Sequence, residues 1–177
     1  MLKVRLMGGL GNQMFQYAFA RAFQLENNLD VVLDLAFLNY KSKRTNYTLR
    51  DFELNVLPIQ LQAISEDPKY VHHPIHKLKN KVLQRMMPYR FILEKGLPFN
   101  EKYLHQKNAK LALGYFQSEK YFNKFRPTIL NDFDFAKTIS KQNAEFAKEI
   151  SSHLSVSLHV RRGDYVSQSV NHSIISA

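Results

Sequence analysis

The sequence contains no cysteine, no tryptophan and no long hydrophobic run. Without cysteine the chain cannot form disulfides, zinc–thiolate sites or thiol nucleophiles, which agrees with a reducing compartment. No stretch approaches the roughly 18 consecutive apolar residues that a membrane-spanning helix needs. The N-terminal segment MLKVRLMGGLGNQ is too interrupted by glycine and asparagine to form the apolar core of a secretion signal. We therefore expect a cytoplasmic protein.

Acidic residues are also scarce, with 15 Asp and Glu against 25 Lys and Arg and a formal net charge of +10. Such an excess favours anionic partners, namely nucleic acid, nucleotide phosphates or an acidic membrane face. Residues 69–110 hold ten of the basic residues against two acids, and residues 76–87 within them have the pattern of a basic amphipathic helix. A charge run of this kind is usually a solvated face above a core-facing stripe. The alternative is peripheral attachment to the inner face of the cytoplasmic membrane.

The N-terminal residues predict a strand–turn–helix–strand unit. Residues 2–7 alternate as in a strand, and Asn12 is a plausible N-cap for a helix over residues 13–26. Apolar residues surround most of this helix, which is typical of a buried one. Asn28 can close the helix in the left-handed conformation, and residues 31–33 follow as a second strand. This order predicts an α/β fold with a Rossmann-like parallel sheet and flanking helices.

Further elements are predicted along the chain. Residues 111–116 indicate a strand, followed by a short helix that Ser118 could cap. The spacing of apolar residues over 135–150 predicts a helix. Residues 155–161 alternate with a period of two and predict another strand.

A glycine-rich turn follows the first strand, at Gly8, Gly9 and Gly11. Glycines let the backbone turn sharply and let a ligand approach closely. The helix start that comes next, at Asn12 and Gln13, offers unpaired N–H groups and the positive end of a dipole to a phosphate or a polar sugar. A tight connection that binds nothing is an equally good interpretation of this turn taken alone.

This turn does not fully match either of two known phosphate-binding motifs. A P-loop requires a lysine that is absent here. A dinucleotide fingerprint fits only in part, because Met14 stands at the third glycine position, although Asp34 lies roughly where a ribose-binding acid would.

A second chemical feature is the segment His159-Val160-Arg161-Arg162-Gly163-Asp164 at the end of the last predicted strand. Ligands of parallel sheets bind beyond the carboxyl ends of strands. Arg161 and Arg162 there could clamp an oxyanion through paired hydrogen bonds and neutralise a diphosphate leaving group. A solvated charge cluster is the simpler interpretation when the segment is taken alone.

Taken together, four segments resemble the α-1,2-fucosyltransferase family, which uses GDP-fucose as donor. They are GGLGNQMFQYAFARAF near the start, TNYTLRDFELNV at 45–56, GYFQSEKYF at 114–122 and SLHVRRGDYV at 157–166, in the family's order. The resemblance implies the first half of a GT-B glycosyltransferase, with residues 1–154 as the N-terminal Rossmann-like domain and 155–177 as the start of the donor-binding domain. It also implies an inverting reaction with no metal and no cofactor, at a cleft between the domains.

The resemblance assigns roles to the candidate residues. Arg161 and Arg162 would be catalytic and contact the donor, with His159 and Asp164 shaping the same pocket and offering the two candidates for general base. Gly8, Gly9, Gly11, Asn12 and Gln13 would bind substrate by lining the cleft. The acceptor would be a β-galactoside at the end of a glycan, attacked through its 2-hydroxyl.

One departure from the family is length, because family members continue after the HxRRGDY motif whereas this chain ends at Ala177. We accordingly expect weak or absent transfer by this chain alone, measured as GDP-fucose turnover with lactose. The alternatives are a nucleotide-binding Rossmann-like module and an inactive fragment. Nucleic acid is not an expected partner, because the basic run lacks regularly interleaved aromatic residues and no nucleic-acid fold signature is present.

Overall fold

The computed structural model describes residues 1–40, 50–65, 74–96 and 98–158. Backbone contacts divide the chain into two compact units, Met1–Thr138 and Ile139–Ala177. In the second unit the described residues are 139–158. The sheet and its glycine-rich turn belong to the first unit.

The first unit contains a five-stranded parallel sheet. Its strands are β1 (Leu2–Arg5), β2 (Val31–Asp34), β3 (Ala63–Ile64), β4 (Phe91–Leu93) and β5 (Leu111–Leu113). The strand order is β3-β2-β1-β5-β4, with Leu2 opposite Val31 and Val4 opposite Ala112 in the register. The predicted Rossmann-like α/β fold is therefore confirmed.

Four α-helices and six short 3-10 turns lie among the described residues. The helices are α1 (Leu10–Asn27), α2 (Pro74–Met86), α3 (Arg126–Asp132) and α4 (Lys141–Ser151). The 3-10 turns are Leu54–Val56, Pro88–Arg90, Glu101–His105, Glu119–Tyr121, Asn123–Phe125 and Phe135–Lys137. None of the described helices is long and apolar enough to cross a membrane.

Helix α1 is the central helix of the first unit and is largely buried, as its apolar circumference predicts. Tyr17, Phe19 and Phe23 have no exposed surface. The ring of Phe19 stacks on that of Phe116 with centroids 3.9 Å apart and planes 6° apart. Asn28 ends the helix at φ 52° and ψ 48°, which confirms the predicted left-handed close.

A buried polar contact fixes the rotation of α1 about its axis. The Tyr17 hydroxyl donates to Asp132 Oδ2 at 2.7 Å and accepts from the backbone N–H of Gln60 at 3.0 Å. Arg21 Nε donates to the same Asp132 oxygen at 3.0 Å, so the buried carboxylate is neutralised. Burial raises the pKa of Tyr17 well above its ordinary value, with the hydrogen bond to Asp132 adding to the effect.

Two predicted elements differ from the structure. The helix expected over residues 135–150 is divided into the 3-10 turn Phe135–Lys137 and α4, because the Ser140 hydroxyl accepts from the N–H of Asn143 and starts a new helix. Residues 155–158 form no strand, and Val156 and Leu158 are 96% and 88% exposed. A strand requires a hydrogen-bonded neighbour, and no described strand pairs with these residues. Residues 159–161 of that prediction lie outside the described residues.

The predicted basic helix exists as α2, but its apolar stripe does not face the core. Leu78, Val82 and Met86 are 64%, 48% and 70% exposed. The interpretation of a core-facing stripe is therefore wrong.

Candidate functional site

The carboxyl ends of β1 and β5 lie side by side at the point where the strand order reverses. Strands β2 and β3 extend the sheet on one side of β1, and β5 and β4 extend it on the other. Parallel sheets bind ligands in the crevice outside such a switch point. The glycine-rich turn follows β1 at this edge, and Gly114 follows β5 directly. The fold thus brings together two segments that are about a hundred residues apart in sequence.

The turn after β1 needs glycine at its first position. Gly8 has φ +79°, and a Cβ there would overlap the side chain of Asn12. Gly9, in extended conformation, is the N-cap of α1 and makes no side-chain cap, so the prediction of Asn12 as N-cap is wrong. The helix starts earlier because the backbone N–H of Gln13 already bonds to the Gly9 carbonyl at 3.1 Å. Helix N–H groups before that point have no intrahelical partner.

Gln13 is fully buried and connects the turn to a third segment. Its amide nitrogen donates to the carbonyls of Gly8 at 2.9 Å and Asp51 at 2.8 Å. Its amide oxygen accepts from the N–H of Glu53 at 3.0 Å. Both amide hydrogens are used, so Gln13 holds the backbone around the turn in place.

Gln16, one turn further along α1, connects the two strand ends. It is fully buried, accepts from the N–H of Met7 at 3.0 Å and donates to the carbonyl of Gly114 at 3.1 Å. Without it, both backbone groups would lose these bonds inside the protein. Gln16 is not among the predicted site residues, although a glutamine among the apolar residues of a buried helix is a detectable signal.

The turn after β5 is held by a carboxylate. Glu94 Oε2, just past the end of β4, accepts from the backbone N–H groups of Tyr115 at 2.7 Å and Phe116 at 2.8 Å. These bonds hold Phe116 at φ +52°, a conformation that L-residues rarely adopt. The ring of Phe116 is thereby fully buried. The second oxygen, Glu94 Oε1, is buried and has no hydrogen-bond partner among the described residues.

Gly114 is required because Glu94 occupies the adjacent space. A Cβ at Gly114 would overlap the Cβ of Glu94 and lie 2.7 Å from its Oε2. Glu94 can therefore occupy this space only because residue 114 has no side chain.

The two turns contact each other through Asn12 and Gln117, whose side chains are bonded at 2.7 Å, with the Gln117 amide donating. Next to them Tyr115 is 41% exposed. A Cβ built on Gly11 has no heavy atom within 4 Å, so the space beside this helix start is open. The surface of the candidate site is thus polar and aromatic, above a layer of buried amides.

Asp34 does not take the place of a ribose-binding acid. It is fully buried, and Arg5 Nε and Nη2 donate to its Oδ2 at 2.9 and 2.8 Å. Its Oδ1 accepts from the N–H of Ala36 at 2.9 Å. The partial match to a dinucleotide fingerprint therefore fails in three dimensions, because the carboxylate is enclosed and neutralised.

A separate cavity of about 250 Å³ lies against the other end of α1, with Ala22, Glu26, His105 and Lys120 in its wall. This end of the helix is at the amino ends of the parallel strands, away from the usual ligand edge. Lys124 donates to Glu26 at 2.7 Å and lowers the pKa of that carboxyl. We regard the crevice at the carboxyl ends of β1 and β5 as the better candidate, and it is called the strand-end crevice below.

The substrate-binding candidates Gly8, Gly9, Gly11, Asn12 and Gln13 all lie in or directly below the strand-end crevice. The catalytic candidates His159, Arg161, Arg162 and Asp164 lie outside the described residues. Glu94 joins the site from a position that no local pattern indicated, and Gln117 joins it from within the GYFQSEKYF segment. Among the described residues no group of three or more His, Asp or Glu side chains could hold a metal ion.

The comparisons with known proteins agree with the motifs. The chain is 33% identical over 175 residues to an α-1,2-colitosyltransferase of Escherichia coli, covering 92% of this chain and 54% of the relative. It is 29% identical over 195 residues to the O-antigen biosynthesis glycosyltransferase WbnK of Escherichia coli, covering 91% and 58%. No solved structure gives a significant match. The chain spans about half the length of these curated relatives.

A family model matches nearly every residue of the sequence. The match runs over residues 1–176 and includes the glycine-rich turn, the segment after β5 and the arginine pair. The resemblance drawn from the four motif segments is thereby confirmed. The chain belongs to glycosyl transferase family 11.

Proposed function

We propose that this protein takes part in an inverting, metal-independent transfer of fucose from GDP-fucose to the 2-hydroxyl of a galactoside in a glycan. One observation carries the proposal in addition to family membership. Residues 8–13, 51–53 and 114–117, all from the motif segments, meet at the switch point of the sheet through the bonds of Gln13, Gln16 and Gln117.

In the proposed reaction the acceptor oxygen forms a bond to the anomeric carbon while the bond from that carbon to the β-phosphate oxygen breaks. The electron pair leaves with GDP, and the hydroxyl proton passes to a general base, for which His159 and Asp164 are the candidates. Arg161 and Arg162 neutralise the leaving diphosphate. The N–H groups at the start of α1 that have no intrahelical partner, beside Gly11, bind oxygen atoms of a substrate.

The colitosyltransferase relative supports a second donor sugar. Colitose and fucose share the 6-deoxy-galactose framework and differ at the 3-hydroxyl, so one pocket architecture suits both. The relative's name favours the same α-1,2 linkage for the product. The O-antigen relative supports a surface polysaccharide unit as the glycan that carries the acceptor.

Ligand binding by the present chain tests the donor class. We expect GDP and GDP-fucose to raise the melting temperature in a saturable way, since a ligand that binds only the native state stabilises it by mass action. The Arg161→Gln/Arg162→Gln double variant should lose this shift while melting at the unchanged temperature without ligand. A shift with NAD or an oligonucleotide, and none with GDP, would favour a different binding module.

Transfer is measured by mass spectrometry with lactose as acceptor and with GDP-fucose or GDP-colitose as donor, and the present chain alone is expected to transfer weakly or not at all. A fucosylated or colitosylated product, linked at the galactose 2-hydroxyl, would identify the reaction and rank the donors. Transfer that proceeds at the original rate in the double arginine variant would contradict the role of the two guanidinium groups.

A further inference from the structure

Helix α2 presents an apolar stripe to solvent. Ile75, Leu78, Val82 and Met86 are 68%, 64%, 48% and 70% exposed. At about 100° per residue these four side chains fall within an arc of about 80° on the helix. An exposed stripe of four large apolar side chains on one helix is more than the scattered single residues of an ordinary surface.

Basic residues border this stripe on both sides. Lys79 lies on one side, and Arg85 and Lys81 lie on the other, and all three are exposed. The sequence of the helix, PIHKLKNKVLQRM, contains four Lys and Arg and no acid. Tyr89 follows the helix and is 54% exposed, and tyrosine is enriched where apolar and aqueous phases meet.

The half-buried side chains described on this helix lie on another part of its surface. Leu83 and Gln84 are half-buried, and they lie about 100° and 160° from the centre of the stripe. The main packing partner of α2 among the described elements is the 3-10 turn Pro88–Arg90 that follows it. The stripe is therefore not the face by which the helix is attached.

Helix α4 offers a comparison within the same chain. It also exposes large apolar side chains, with Phe146 at 61% and Ile150 at 43%. Its charged residues, however, are two lysines and two glutamates, so the helix has no net charge. Apolar exposure is common to the two helices, whereas the uniform positive charge belongs to α2.

We propose that α2 lies in the surface of an anionic phospholipid membrane, with its stripe inserted at the boundary of the acyl chains. Lysine and arginine flanking the stripe would then contact the lipid phosphates, as in other interfacial helices. A second copy of the chain is a poor occupant, since two helices with four positive charges each would repel. Nucleic acid would match the charge but would leave the apolar stripe in water.

Vesicle flotation of the whole 177-residue chain tests this proposal. We expect the chain to float with vesicles of phosphatidylcholine and phosphatidylglycerol and to remain in solution with phosphatidylcholine alone. Replacing Leu78 and Val82 with serine should lower the fraction bound at least about tenfold, since both side chains contribute buried apolar area. Replacing Lys79, Lys81 and Arg85 with glutamine should have a similar effect and reduce the salt dependence of binding.

The matched control is Phe146→Ser in α4, which should leave flotation unchanged. Circular dichroism and melting temperature confirm that each variant folds, as expected for substitutions of exposed residues. Equal binding to neutral and anionic vesicles, or binding that survives both sets of α2 substitutions, would overturn the proposal. So would a folded chain that binds no vesicles but forms a dimer that the Leu78→Ser/Val82→Ser variant dissociates. None of these measurements depends on sugar transfer.

Discussion

Two neighbouring strands, β1 and β5, end at the same edge of the sheet, and the turns that follow them are held by different chemical groups. The turn after β1 is held by the neutral amides of Gln13 and Gln16. The turn after β5 is held chiefly by the carboxylate of Glu94. In the second turn the holding side chain depends on a glycine, because only the missing Cβ of Gly114 leaves room for Glu94.

The comparison shows how a rigid frame can leave a few groups for a ligand. In the first turn both amide hydrogens of Gln13 are used within the protein, and the first N–H groups of the helix have no intrahelical partner. In the second turn Glu94 uses one oxygen for two N–H groups, and the other is buried without a partner among the described residues. A carboxylate can accept about four hydrogen bonds, so Glu94 has unused acceptor capacity inside the protein.

The largest expected effect is that of Gly114→Ala, which tests the mutual dependence of Gly114 and Glu94. The new methyl group would overlap the Cβ of Glu94, which is too close to the backbone to move aside. We expect the free energy of unfolding to fall by about 3 kcal/mol, as for overpacked cores. Urea denaturation measures it, and a loss below about 1 kcal/mol would show that the second turn is adaptable.

Gln16→Leu should have the next largest effect, because it removes the amide that joins the two turns. The N–H of Met7 and the carbonyl of Gly114 would lose their partner inside the protein. We expect a loss of about 2 kcal/mol. The matched control is Gln117→Leu, whose bond to Asn12 is at the surface and should cost less than about 0.5 kcal/mol. Equal losses of stability in the two variants would contradict the distinction between the buried bonds of Gln16 and the surface bond of Gln117.

Tyr17→Phe tests how much the buried hydrogen bond between Tyr17 and Asp132 contributes to stability. Losing the hydroxyl should cost about 1 kcal/mol at neutral pH. Burial raises the pKa of Tyr17 in the folded state, so the unfolded chain releases this proton first, at about pH 10, and stability falls as pH rises further.

The variant should therefore lose stability less steeply above about pH 10 than the wild type. Tyr121, whose pKa burial also raises, contributes a fall of the same sign in both proteins. Tyr115→Phe, which removes a hydroxyl at an exposed position, is the control for the loss at neutral pH and should cost less than about 0.5 kcal/mol. A parallel pH dependence in wild type and Tyr17→Phe would exclude this residue as its source.

Gly11→Ala has the smallest expected effect on stability and separates folding from binding. A Cβ at this position meets no heavy atom within 4 Å, and alanine is the better helix former. The free energy of unfolding should rise by about 0.5 kcal/mol. If a substrate approaches Gly11, the same variant should show a smaller rise in melting temperature with GDP-fucose or weaker use of lactose. An unchanged rise in melting temperature with GDP-fucose and unchanged use of lactose would show that neither substrate contacts this turn.

Local sequence patterns predicted the elements well but not the residues that hold the site together. Helix α1 and strands β1 and β2 follow from periodicity and from Asn28, which are properties of adjacent residues. Gln16 and Gly114 are 98 positions apart, so their bond depends on β5 lying next to β1. The helix predicted over residues 135–150 was wrong at its start because Ser140 caps a separate helix, and competing caps are hard to rank from sequence.

The sequence by itself determined the α/β class, the buried central helix and membership of glycosyl transferase family 11, because these depend on local periodicity and on collinear motifs. Only the tertiary structure decided that Glu94 supports the turn after β5, that Asp34 is enclosed by Arg5, and that the stripe of α2 faces solvent. The physical reason is that burial and hydrogen-bond partnership depend on which strands become neighbours. That order is set by packing of the whole unit, and it cannot be read from any one segment.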